Sequence, residues 1–247
     1  MLNDKYRILS TRHLTDSSIA VAGENGIRID VQDFIQIKPL LNEALIGDEH
    51  MLEVFRPEAV HVFTSANAAK ILAKYYLHQD ATCYVIHEPD VCCISGSTRK
   101  AVEKAFPGCK ILAESAYGSE LANAIVQLGH VSSVNFFCGN IRRNELPDGL
   151  KKAGIEVKEF VIYENIPAPA VITDDYDGIL FFSPSAVKSY LSANRINSKT
   201  VCFAIGRTTA TALREHSDNK IIMSTNISED SMVQTAIFYF NNINCYE

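Results

Sequence analysis

The chain places hydroxyl and amide side chains where apolar runs stop and helical patterns begin. FTSANAAKIL at 63–72 sets Thr64, Ser65 and Asn67 at one such boundary, and FFSPSAVKSYL at 181–191 sets Ser183 and Ser185 at another. Aligning Phe63 with Phe181 superposes Ser65 on Ser183, Asn67 on Ser185 and Lys70 on Lys188. A second pair follows: VCCISGSTRKAVEKAF (91–106) carries Ser97 and Thr98, and VCFAIGRTTATALREH (201–216) carries Thr208 and Thr209. Placing Ser95 over Gly206 brings Thr98 onto Thr209, a weak internal duplication. Short polar side chains at a helix start cap its first N–H groups. The N–H groups left over, with the partial positive charge there, favour a carboxylate or phosphate. The chemistry implied is the holding of anions. Taken singly, each of these residues is also an ordinary cap that needs no ligand.

Two further stretches bear on anions. In CGNIRRNELPDGLKKAGIEV (138–157), Gly139 ends a strand, Asn140 follows, and Arg142 and Arg143 enter a helix. Thr11 and Arg12 form a similar pair after the first strand. A guanidinium clamps a carboxylate in bidentate fashion. Other chemistries have no motif: GxxxxGK[ST], GxGxxG and GxSxG are absent. The histidines (13, 50, 61, 78, 87, 130, 216) show no HxxxH or Cys/His ligand spacing. No acid/base pair stands out, so an enzyme of this sequence is expected to use neither metal nor cofactor.

These junctions need strands to end them and helices to begin them. Apolar runs at 6–10, 27–37, 59–64, 82–87, 91–95, 133–138, 156–163, 178–182, 201–206 and 220–224 read as strands. Helical patterns read at 66–77, 98–106, 118–128, 142–153, 184–193, 208–216 and 229–240. The alternation predicts an α/β fold with parallel sheets covered by helices. Ligands of open parallel sheets bind at the carboxyl ends of the strands, where all four junctions then lie. Proline stiffens the text at QIKPL (36–40) and at NIPAPAV, where Pro167 and Pro169 stand. Two such crossings predict an inserted domain: 37–167 within a first domain of 1–36 plus 168–247.

Composition sets limits on partners. The 247 residues are 47 % apolar and 21 % charged, with a formal net charge of −6. Such a balance gives no support to a nucleic-acid partner, which favours a basic face. No apolar stretch is long enough to cross a bilayer. MLNDKYRILSTRH lacks the apolar core and cleavage site of a signal peptide. The cysteines (83, 92, 93, 109, 138, 202, 245) are odd in number and form no CxxC. Reduced, buried thiols in a cytoplasmic protein are expected.

The ordered set of TR after the first strand, FTSANA, the threonine turn, GNIRRNEL with AGIEV and VIY, FFSPSAV and IGRTTATAL resembles uroporphyrinogen-III synthase. The resemblance covers most of the chain. It implies two α/β domains, one inserted in the other, joined by a two-stranded connection. It also implies a cofactor-free reaction. Hydroxymethylbilane, a linear tetrapyrrole polycarboxylate, loses its hydroxyl group as water. The resulting azafulvene joins the substituted carbon of the last ring in a spiro intermediate. That ring inverts, and the macrocycle closes as uroporphyrinogen III. Carried over, the family's tyrosine falls on Tyr163 in VIYENIP, as a proton or hydrogen-bond donor. Its turn threonines fall on Thr98 and Thr209, and its motif serines on Ser65 and Ser183. The glycine-turn arginine falls on Arg143, and the N-terminal pair on Thr11 and Arg12. The donors would line a cleft between the domains.

Two departures stand out. Ser95 replaces the usual glycine, with Gly96 one place on, which shifts that turn. Cys138 stands where an arginine is common. The implied partners are the small-molecule substrate and, transiently, the enzyme that makes it; a monomer is the default expectation, since the sequence does not carry the oligomeric state. A different reading is a non-enzymatic two-lobed module that closes on a small anion or a tetrapyrrole.

Overall fold

The computed structural model describes residues 5–40, 60–77 and 89–242. The first elements are β1 (Tyr6–Ser10), α1 (Asp16–Glu24), β2 (Ile27–Val31) and β3 (Ile35–Pro39). Next come β4 (Val60–Phe63), α2 (Ala66–Leu77), β5 (Asp90–Ile94), α3 (Ser97–Ala105), β6 (Lys110–Ser115) and α4 (Gly118–Gln127). They are followed by β7 (Ser133–Gly139), α5 (Glu145–Lys152), β8 (Glu156–Pro167), β9 (Gly178–Phe181) and α6 (Pro184–Leu191). The described chain closes with β10 (Val201–Ala204), α7 (Arg207–Arg214), β11 (Ile221–Met223) and α8 (Glu229–Asn241).

The apolar runs become strands because successive side chains enter opposite covers. In β9, Leu180 enters one core while Ile179 and Phe181 enter the other. In β4, Val60 and Val62 enter one core and Phe63 its opposite. One sheet has the order β11-β10-β9-β1-β2, with every pairing parallel. Helices α1 and α8 supply Ala22, Met232 and Phe240 to one of its faces, and α6 and α7 supply Val187, Tyr190 and Leu213 to the other. The second sheet has the order β3-β8-β7-β4-β5-β6, parallel from β8 to β6. Helices α2 and α3 cover one face with Leu72 and Val102, and α4 and α5 cover the other with Leu121, Ile125 and Leu150.

Contacts divide the chain into Met1–Gln36 with Ile166–Glu247, and Ile37–Asn165. The chain passes between these units inside β3 and β8, which are neighbours in the six-stranded sheet. Strand β8 itself continues to Pro167, and Ala168 then donates its N–H to the Phe34 carbonyl.

Three local outcomes differ from the sequence pattern. The run 27–37 is two strands in two sheets. It breaks where Phe34 plunges into the first unit's core, fully buried, with its N–H on the Thr11 carbonyl. Helix α1 and strand β6 have no counterpart in the sequence reading. Sparse burial hid both, with only Ala113 buried in β6 and only Ser18 and Ala22 in α1, although Thr15 is a true N-cap whose hydroxyl accepts from the Ser18 N–H. The expected strand at 82–87 lies outside the described residues.

Candidate functional site

Parallel neighbours end at the same edge, so the turns after β4, β5 and β7 share one edge of the six-stranded sheet. Ser65 stands just before α2. Its Oγ accepts the Asn67 N–H at 3.2 Å and the Tyr163 hydroxyl at 2.9 Å. Both acceptor positions are then filled, and its own hydrogen is what the group offers a ligand.

Tyr163 reaches Ser65 because of a slip between β7 and β8. The register shifts after Cys138, pairing Gly139 with Tyr163. The Asn140 N–H then bonds the Tyr163 carbonyl at 3.0 Å. The phenol ring occupies the space a side chain at 139 would need: a Cβ there would lie 2.5 and 2.6 Å from ring carbons. Asn140 Oδ1 accepts from the backbone and side-chain nitrogens of Asn165, at 2.9 and 3.3 Å, and locks the far end of β8. Tyr163 is 5 % exposed. Burial pushes its phenol above the ordinary value, against the opposing hydrogen bond to Ser65. The group therefore stays a neutral donor.

The other residues of this edge differ in exposure. Thr64 and Asn67 are half-buried, and Ser97 and Asn140 are exposed. Arg143 is exposed on the turn after β7. Its neighbour Arg142 is engaged with Asn144 and with Glu159 of β8, which also binds Lys151. The Ser95–Gly96 departure has a visible consequence. Gly96, with φ +77°, is the N-cap of α3, whereas the cap of α7 is Gly206 in extended conformation. In the alignment α3 thus starts one residue later than α7. Thr98 and Thr209 nevertheless keep the same inward place, 3 % and 1 % exposed, followed in each helix by the buried pairs Ala101–Val102 and Ala212–Leu213.

The five-stranded sheet has its own carboxyl edge. Ser183 caps α6, accepting the Ala186 N–H at 3.1 Å, with Pro184 at the first helical position. Ser185 is half-buried and Thr208 exposed. The Thr11 hydroxyl donates to the Leu180 carbonyl at 2.7 Å in a buried position, so it ties β1 to β9. Arg12 lies with its guanidinium carbon 4.0 Å from the centroid of Phe182 and its Nη2 3.2 Å from Glu229. Sequence reasoning missed Asn165 and Glu229. Glu229 opens α8 behind the Ser228 cap, the one local signal it has. No group of His, Cys, Asp and Glu suited to a metal ion occurs among the described residues, and no helix there is long and apolar enough to cross a membrane.

The family model described as Uroporphyrinogen-III synthase HemD matches residues 17–234, a span that includes every one of these junctions except Thr11 and Arg12. The chain belongs to the uroporphyrinogen-III synthase family. Uroporphyrinogen-III synthetase from Helicobacter pylori has a similar fold, with TM-score 0.65 at 17 % identity over 94 % of this chain and 99 % of that one. A mutant uroporphyrinogen III synthase from the extremely thermophilic bacterium Thermus thermophilus is also similar, with TM-score 0.61 at 14 % identity over 97 % and 99 % of the two chains. The mixed α/β architecture with mainly parallel sheets agrees with both. As a uroporphyrinogen-III synthase family member, the chain is an enzyme of tetrapyrrole and haem biosynthesis that acts on a small molecule. The non-enzymatic reading is not favoured.

Proposed function

We propose that the chain closes hydroxymethylbilane to uroporphyrinogen III as a cofactor-independent lyase, working as a cytoplasmic monomer that takes its substrate from the enzyme making it. The observation that supports the residue assignment is the Tyr163–Ser65 hydrogen bond at the carboxyl edge of the inserted sheet. In this mechanism the substrate's C–O bond breaks and its electron pair leaves with the hydroxyl group. Ser65 donates its hydrogen to the departing oxygen, which leaves as water. Tyr163 stands behind Ser65 and supports the oxygen that has given up its proton. The electrons of the adjoining pyrrole nitrogen form the azafulvene. A proton lost from the last ring after carbon–carbon bond formation restores the balance.

The remaining donors hold the substrate's carboxylates and so its shape. Asn67, Ser97, Asn140 and Arg143 serve in the inserted unit, and Arg12, Ser183, Ser185 and Thr208 in the other, while the buried Thr98 and Thr209 fix the helix starts that carry Ser97 and Thr208. Helix N-termini and hydroxyls hold acid groups locally without making the protein basic, consistent with its net charge of −6. Fixing the chain's geometry favours closure of the inverted ring over spontaneous closure. The test is substitution at the pair. Ser65→Ala is expected to lower kcat more than Tyr163→Phe, because it removes the group in contact with substrate. Equal, full activity in both variants would remove the pair from the mechanism.

A further inference from the structure

Arg12 meets Glu229 in the five-stranded unit, and the proposed mechanism gives Glu229 no role. Glu229 is the first residue of α8 and only 18 % exposed at its side chain. Its Oε1 accepts three hydrogen bonds from the start of α1: the Thr15 N–H at 2.7 Å, the Thr15 hydroxyl at 2.8 Å and the Ser18 hydroxyl at 2.9 Å. Its Oε2 takes none of these and instead meets Arg12 Nη2 at 3.2 Å. One oxygen is thus anchored, and the other points at the arginine.

The guanidinium is restrained from a second direction. Its central carbon lies 4.0 Å from the Phe182 ring centroid, a cation–π distance. Phe182 directly precedes the Ser183 cap, so the arginine lies beside the second of the paired junctions. Its side chain is still 48 % exposed. Its one side-chain hydrogen bond among the described residues uses Nη2, leaving Nε and Nη1, and the Asp33 carboxylate adds a second negative charge that acts on the guanidinium. An arginine held on one edge and one face, with its other N–H groups open, is prepared for bidentate capture of a carboxylate. An ordinary surface ion pair has no such anchoring on either side.

We propose that Glu229 is a positioning residue: it holds the Arg12 guanidinium against Phe182 so that the open N–H edge receives one carboxylate of the substrate. The assignment rests on the cyclising reaction proposed above. The competing explanation is a purely structural staple between the starts of α1 and α8.

The experiment is a double-mutant cycle on the full chain, with hydroxymethylbilane generated in situ. Arg12→Ala and Glu229→Gln are each expected to raise KM about tenfold with kcat within about twofold, since uniform binding is lost. The double variant should be no worse than Arg12→Ala alone. Arg12→Lys should not rescue, because a point charge on a flexible stem is not aimed. Dissociation constants for uroporphyrin III, a stable polycarboxylate probe, should rise in the same variants by the same factor. Additive effects, or a Glu229→Gln variant that loses melting temperature with KM and probe affinity unchanged, would overturn the positioning role. If the wild-type chain gives only the type I product, the cyclisation reading fails by itself, and the probe affinities still decide whether Glu229 aims Arg12 at a carboxylate.

Discussion

Tyr163 shows how burial decides what one side chain does. Exposed, a phenol is a weak acid; here burial pushes it above its ordinary value of 10.0, while Ser65 accepts its hydrogen. A raised phenol pKa keeps the neutral donor form at every pH below that ordinary value. Activity should therefore show no alkaline loss from Tyr163 up to about pH 10. An alkaline limb below about pH 9 that vanishes in Tyr163→Phe would contradict this. The same substitution should cut kcat roughly tenfold, about the worth of one hydrogen bond to a developing charge, with an unchanged melting temperature. Ser65 and Ser183 were legible in the sequence because capping is a local act, written within a few residues of the cap. Glu229 and Asn165 were not, because their partners Thr15 and Asn140 lie far away along the chain. Thr11 was legible only as a position: nothing local tells that its hydroxyl is spent on Leu180.

At the scale of elements, the slip between β7 and β8 sets the contact of Tyr163 with Ser65. It needs a residue without a side chain at 139, since a Cβ would meet the Tyr163 ring at 2.5 Å. Gly139→Ala should therefore displace the ring, destabilise the fold by about 1–3 kcal/mol and lower activity at least as much as Tyr163→Phe. Adding Tyr163→Leu to Gly139→Ala should restore stability but not activity, as read by chemical denaturation beside the assay. Normal stability and activity in Gly139→Ala would show that the close approach is unimportant. The strand pattern carried most of the element order, because strands buried on both faces are unbroken apolar runs. It failed at 27–37, where polar Gln32 and Asp33 gave too weak a signal for a change of sheet. Strand β6 buries only Ala113 and helix α1 only Ser18 and Ala22, so neither writes a clear apolar period into the sequence.

Across the whole molecule, both sheets bury thiols. Burial pushes Cys92 and Cys202 up to about 12 and Cys93 to about 11, from an ordinary 9.0. The sign follows from linkage: above about pH 9 the unfolded chain releases these protons while the folded chain still holds them. Stability should therefore fall steadily as pH rises from about 9 toward 11, visible as a declining melting temperature in reducing buffer. A melting temperature flat over that range would mean that the thiols are not buried as described. Two proline-marked crossings predict an inserted domain, because proline withdraws a donor where a strand leaves its sheet, and the contacts divide the chain after Gln36 and after Asn165. The family was legible only from the ordered set of motifs, since no single side chain announces it. The most direct test is to generate hydroxymethylbilane in situ, add the chain, oxidise the products and resolve the isomers. The type III isomer should dominate, and a mixture no different from the spontaneous type I product would contradict the account.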